Sequence, residues 1–376
     1  MTAVESQYFT LLRAALWDTS VDIEDHVDWQ AVLKMARYHG NNVLVSDVAT
    51  KMTGDNRPSD KMQAKMQNDM RGNLLNQMQL KHHLVTAVRA LRENNIEPVL
   101  LKGFGLARLY PNPSLRQFGD IDLFVGLADF HQACALLRSL PGAYTWAQEV
   151  DVGRHYNVEF GNYPIEIHRV SADVVDPDEH DAYAAIEEDG LRAHPQRVDF
   201  DGFEMLIPSK EFMVFFTFFH LWHHFITSGA GLRQLSDVAM TLHAYHGQLD
   251  LDKLQQWLEA MHLMQPWQTF GYVMVESLGL PEEEMPFYDA GCQRRAQKLY
   301  RRIMEEGNFN RKRSFKLNRP KRRLFQKIHA FICIFIDYFH LAKVFPDQAS
   351  REIRTSMKMG FSKNFGKNDF FLLCMN

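Results

Sequence analysis

Two aspartates two residues apart, Asp120 and Asp122, stand in an apolar run that continues through Ile121, Leu123, Phe124 and Val125. Along a β-strand, residues i and i+2 project to the same side, so the two carboxylates converge if this run is a strand. Converging carboxylates repel near neutral pH and coexist through a shared proton or a cation. Hard cations such as Mg2+ take oxygen ligands and commonly share them with substrate phosphates. The spacing therefore suggests a metal–nucleotide site. An isolated Asp-x-Asp is also common by chance, so its surroundings decide.

Upstream, the apolar run from Pro98 to Leu101 ends in Lys102 and Gly103, and Gly105 opens an amphipathic stretch from Leu106 to Tyr110. That order reads as strand, tight turn and helix, where free backbone N–H groups and the helix dipole can hold a phosphate. Asp120 follows Gly103 by 17 residues. That leaves room for one short helix and a loop containing Pro111 and Pro113 before the next strand.

This stretch resembles the glycine motif and Asp-x-Asp motif of the polymerase-beta-like nucleotidyltransferase superfamily. More narrowly, it resembles a bacterial family of uncharacterised nucleotidyltransferases related to the nucleotidyltransferase toxins. Lys102, Gly103, Tyr110, Pro111, Arg116, Gly119, Asp120 and Asp122 match the family pattern. Phe104 stands where the superfamily usually has a small residue, with Gly105 one position later. The resemblance implies a third carboxylate on a later strand. Glu166 and His168 alternate there with Ile165 and Ile167, where the family usually has Asp-x-His, so Glu166 carries one extra methylene.

The resemblance implies an α+β fold: a polymerase-beta-like nucleotidyltransferase core of mixed sheet and flanking helices, with helical N- and C-terminal regions. The expected divisions are residues 1–94, 95–207 and 208–376. Asp120, Asp122 and Glu166 would be the catalytic residues and the ligands of Mg2+ or Mn2+ in a two-metal mechanism. The reaction implied is transfer of a nucleoside monophosphate from an NTP, ATP included, to an acceptor hydroxyl with release of pyrophosphate. The acceptor is left open between an RNA 3′ end, a protein Ser, Thr or Tyr, and a small molecule. The runner-up is a catalytically inactive nucleotide-binding or interaction module of the same fold.

Expected nucleotide contacts are the turn Gly103, Phe104 and Gly105, together with Lys102, Arg116, Arg233 and Asp237. Each cation has a structural alternative. Lys102 can point to solvent, Arg116 can pair with an aspartate, and Arg233 can pair with Asp237 at i+4 on one helix. The resemblance extends to that helix, through Gly231 to Asp237 and the histidine-rich segment before it.

At 376 residues, 46% apolar and 23% charged, the chain has the composition of a globular protein able to form two or three compact units. The four cysteines, Cys134, Cys292, Cys333 and Cys374, form no CxxC pair or zinc spacing and read as thiols in a reducing compartment. The early residues Glu5, Asp18, Asp22, Glu24 and Asp25 do not fit a signal peptide, so a cytoplasmic location is expected. Net charge is −4, but residues 294–327 hold 14 Lys/Arg against Glu305 and Glu306, which leaves −16 on the rest. The cations between Arg311 and Arg323 fit an RNA-binding or anionic-surface patch, a solvated loop, or an intramolecular partner for the eight acidic residues from Asp173 to Asp189.

Helical spacing runs from Tyr8 to about Glu93, with Met70, Leu74, Leu75 and Met78 among the apolar positions of one long helix or a broken pair. A helix is expected over 128–140, a hairpin over 151–168, and another turn at Asp201-Gly202. Ser209 is a helix N-cap candidate, and Lys210 to Phe225 is apolar nearly all round, hence buried. Within it, His220 and His224 share a face at a spacing that suits either a metal or a satisfied aromatic core. Phe325 to Val344 is interrupted too often by charge for a transmembrane span.

Overall fold

A computed structural model of the chain describes residues 1–23, 25–145, 153–174, 176–308 and 338–364. The cations at 311–323 and most of the apolar run 325–344 lie outside these residues. Four helices come first: α1 (Ala3–Trp17), α2 (Trp29–His39), α3 (Asn42–Lys51) and α4 (Asp60–Arg92). The mixed region holds β1 (Val99–Leu100), α5 (Phe104–Ala107), β2 (Ile121–Phe124), α6 (Gly126–Ser139), β3 (Ala143–Tyr144), β4 (His155–Phe160), β5 (Tyr163–His168), α7 (Pro177–Glu187), β6 (Gln196–Asp199) and β7 (Glu204–Ile207). Then follow α8 (Lys210–Thr227), α9 (Leu232–Tyr245), α10 (Leu251–Ala260), α11 (Met264–Val273), α12 (Gln293–Glu306) and α13 (Pro346–Asn364). Among the described residues, no helix is long and apolar enough to cross a membrane.

The strands form one mixed sheet in the order β3-β4-β5-β2-β1-β7-β6. At its centre β2 runs parallel to β5 and antiparallel to β1. The β2–β5 register places Asp122 opposite Glu166 and Phe124 opposite His168. Two residues forty-four positions apart in sequence thereby become cross-strand neighbours. All four β2 positions are buried. An Ile-Asp-Leu-Phe strand covered on both faces can keep its aspartate only where polar partners meet it.

With one glycine and no proline, α4 runs unbroken for 33 residues and is capped by Ser59, whose side chain accepts from the Met62 N–H. Its apolar residues Leu74, Leu75 and Met78 are exposed. Amides take the inward face instead. Asn73 donates to the Ser114 carbonyl at 2.6 Å, Asn76 to Phe118 at 3.0 Å and Gln77 to Arg116 at 2.8 Å. The loop that leads into Asp120 would otherwise bury unpaired carbonyls, and the helix face satisfies them.

The helix α8 follows its Ser209 cap and is buried from Phe212 to Phe219, as the all-round apolar pattern requires. The core is continuous, drawing Tyr8 and Phe9, Leu123 and Ile167, and Phe215, Trp267 and Phe270 into one cluster. Within the acidic stretch around α7, Asp189 meets Lys253 at 2.9 Å and Glu179 meets Arg351 at 2.9 Å.

Candidate active site

Asp122 is fully buried at the middle of the sheet. Its Oδ1 meets Lys102 Nζ at 3.1 Å and His168 Nε2 at 3.1 Å. His168 also reaches Glu166 Oε2 at 3.4 Å, and His155 stands 3.8 Å from the same oxygen. Asp122 Oδ2 has no hydrogen-bond partner. Among the described residues, Asp122, Glu166 and His168 form a group whose donor atoms lie within 4.8 Å of one another. Asp120 lies just before β2 and within electrostatic reach of Asp122 and Glu166, but outside that group.

The charges follow from these contacts. Burial pushes the Asp122 carboxyl up, but Lys102 and the His168 hydrogen bond outweigh it and hold it well below the usual carboxylate range. Glu166 is likewise lowered, the His168 bond overcoming burial and Asp122 repulsion. Asp120 goes the other way, raised by burial and by the Asp122 charge against Lys102. His168 is raised, its bonds to Asp122 and Glu166 overcoming burial.

The turn before α5 depends on Gly103, whose φ of +60° and ψ of −113° suit glycine alone. Phe104 packs edge-on against Phe118, ring centres 4.9 Å apart. Gly105 is buried, and its N–H is spent on the Lys102 carbonyl at 3.1 Å.

Arg116 and Asp237 form a buried fork. Arg116 Nε donates to Asp237 Oδ1 at 2.6 Å, Nη2 to Oδ2 at 2.9 Å and Nη1 to the Gly103 carbonyl at 3.1 Å. Tyr110 O–H adds a bond to Asp237 Oδ1 at 2.8 Å. The i, i+4 pairing of Arg233 with Asp237 is thus replaced by a partner 121 residues away. Arg233 instead donates Nη1 to the Gln117 carbonyl at 3.0 Å and leaves Nε without a partner, within electrostatic reach of Asp120.

His168 and His155 were not among the expected site residues. The signal for His168 was present: two residues beyond Glu166 on a strand, it must share that face. His155 comes in only through the β4–β5 pairing, opposite His168, which no local pattern announces.

A Lys-Gly turn thus precedes a mixed sheet whose central parallel strands present Asp122 and Glu166. A profile of the family described as uncharacterised nucleotidyltransferase matches residues 25–279, and the chain belongs to that family. General nucleotidyl transfer is the chemistry that membership supports. No curated protein and no solved structure matches the chain.

Proposed function

We propose that the chain transfers a nucleoside monophosphate from an NTP to an acceptor hydroxyl, releasing pyrophosphate in a Mg2+- or Mn2+-dependent reaction. The observation that carries this reading is the orphaned, buried Asp122 Oδ2 beside Glu166 and His168. A buried carboxylate oxygen without a partner is costly, and a divalent cation is the group that removes the cost. The donors fit one: two carboxylates suit Mg2+ or Mn2+, and the imidazole tilts the set toward Mn2+. Asp120, Asp122 and Glu166 would hold the cation with His168 beside them. When bound, it neutralises phosphate charge and makes the acceptor hydroxyl more acidic.

The chain's own groups supply the rest. Lys102, already on Asp122, offers its ammonium to a phosphate oxygen. Glu166, ionised and braced by His168, accepts the acceptor's hydroxyl proton. Asp120, raised by burial and by Asp122, is the carboxyl that gains most from added positive charge. Arg233, with Nε unpartnered, faces the same acidic group as a phosphate contact. Arg116 and Asp237 fix the Gly103 turn from behind.

One observation favours a second reading, an inactive nucleotide-binding module. The Lys102 ammonium already neutralises Asp122 without a metal. Cell lysate incubated with purified protein, each of four α-labelled NTPs and Mg2+ or Mn2+ separates the two. Label entering RNA, protein or small molecules with the wild type, and not with Asp120→Ala/Asp122→Ala, supports transfer and names the acceptor class. NTP binding with no labelled product supports the inactive module.

A further inference from the structure

Along β4, His155, Asn157 and Glu159 alternate with the buried Tyr156, Val158 and Phe160. The buried set faces α4 and α6: His83 stacks 5.2 Å from the Phe160 ring, and Arg138 stands 6.0 Å from that of Tyr156. The polar set therefore shares the opposite face of the sheet, and the register fixes its neighbours. Asn157 pairs with Glu166 and His155 with His168, while Asp122 flanks Glu166 on the other side. Directly paired residues project side by side. Asp122, Glu166 and Asn157 thus form one row across three strands, and the polar face of the candidate site continues onto β4.

Asn157 is only partly covered, yet its Oδ1 is buried and has no hydrogen-bond partner. An amide oxygen left so is costly, and an N–H or O–H donor removes the cost. Glu159, one step further along the same face, is within electrostatic reach of Glu166 and adds two acceptor oxygens. Arg154, at the start of the strand, is engaged by His155 Nδ1 at 3.0 Å and by Asp173 at 3.9 Å. The row beyond Glu166 therefore offers acceptors and calls for a ligand that carries donors.

The position of this row relative to the glycine turn decides which ligand. Lys102 and Gly103 follow β1, and the strands lie in the order β4-β5-β2-β1. In-line displacement keeps the attacking and leaving oxygens on opposite sides of the phosphorus. With pyrophosphate at the glycine turn and the α-phosphate at Asp122, attack comes over β5 and β4, where Glu166 takes the proton. We propose, resting on the nucleotidyl-transfer reading above, that Asn157 and Glu159 form the acceptor's subsite. The acceptor is a sugar hydroxyl with a second hydroxyl or an amino group on the adjacent carbon. Its attacked oxygen bonds to the α-phosphorus and gives its proton to Glu166. The bond to the bridging oxygen breaks with its electron pair on pyrophosphate. The neighbouring group donates to Asn157 Oδ1 and is not consumed. A Ser, Thr or Tyr side chain brings one hydroxyl and no second donor.

The test uses the full chain, α-labelled NTP, Mn2+ and the protein, RNA and small-molecule fractions of a lysate. Each fraction is offered untreated and after periodate, which cleaves vicinal diols and amino alcohols, with the excess quenched before NTP is added. Label should enter the RNA or small-molecule fraction and be lost after periodate, and ribonuclease then tells a terminal ribose from a free sugar. Asn157→Leu should need roughly tenfold more of that fraction for half-maximal transfer, with the maximal rate within about twofold of the wild type. Calorimetry with Mn2+ and an α,β-methylene triphosphate should show its nucleotide affinity unchanged, and matched thermal midpoints keep misfolding apart from the effect. Label on protein, transfer that survives periodate, or unchanged half-saturation in a folded Asn157→Leu would each overturn the proposal. Transfer to a periodate-resistant acceptor sinks this proposal alone. No label from the wild type in any fraction sinks the transfer reading and this proposal with it.

Discussion

Replacing Asp237 by Asn tests whether Arg116 and Asp237 bind nucleotide or build the site. The native carboxylate accepts Arg116 Nε at 2.6 Å, Arg116 Nη2 at 2.9 Å and Tyr110 O–H at 2.8 Å, and both ionic side chains are below a tenth exposed. Asn removes the charge, leaves a buried guanidinium without an anion and turns an amide N–H toward existing donors. Breaking one partner of a buried ion pair costs about 3–5 kcal/mol. That is between a fifth and the whole of the roughly 5–15 kcal/mol that holds a typical domain folded. Urea unfolding should show a midpoint lowered accordingly with little change in slope. The paired substitution Arg116→Met/Asp237→Leu should be less destabilised than Asp237→Asn, because no charge is left buried alone. If Asp237→Asn instead unfolds within about 1 kcal/mol of the wild type while losing nucleotide affinity, the structural assignment is refuted.

Other outcomes are expected from single sites. His39 is fully buried with both ring nitrogens unpartnered, and burial lowers it to about 4. An unfolded histidine titrates near 6.5, so its contribution is intact above that pH and lost as pH falls toward 4, at a cost of about 3 kcal/mol. Urea melts across pH 4–7 should show this fall in the wild type and a smaller one in His39→Phe. Gly103→Ala forces a φ of +60° on a residue with a Cβ, which should cost about 1–2 kcal/mol and lower nucleotide affinity, read by denaturation and by calorimetry. Mn2+ should bind the wild type, seen as loss of the free-ion electron paramagnetic resonance signal. Asp122→Asn should abolish that binding, and His168→Gln should weaken it roughly 10–100-fold.

The parts of this architecture visible in the sequence are those fixed by short-range periodicity. Asp120-Ile-Asp122 announces its strand, Ser209 announces the cap of α8, and the single glycine between Asp60 and Arg92 permits one continuous α4. Glu166 on β5 was likewise readable by alternation. The face of α4 was not, because Asn73 and Gln77 turn inward to satisfy loop carbonyls forty positions away, and polar burial of that kind depends on a partner no window contains. The Arg116–Asp237 pairing was not legible for the same reason, because it joins the glycine loop to α9 across 121 residues. His155 owes its place to hairpin register alone.

The most direct test of the central claim asks which phosphorus is attacked. Purified protein with Mn2+ and the acceptor fraction identified in lysate would be given NTP labelled at the α-phosphate in one reaction and at the γ-phosphate in another. Attack at the α-phosphorus predicts α label in the acceptor and γ label recovered wholly as pyrophosphate, both lost in Asp122→Asn. Label from the γ-phosphate in the acceptor, or α label transferred equally by Asp122→Asn, would contradict nucleotidyl transfer at this site.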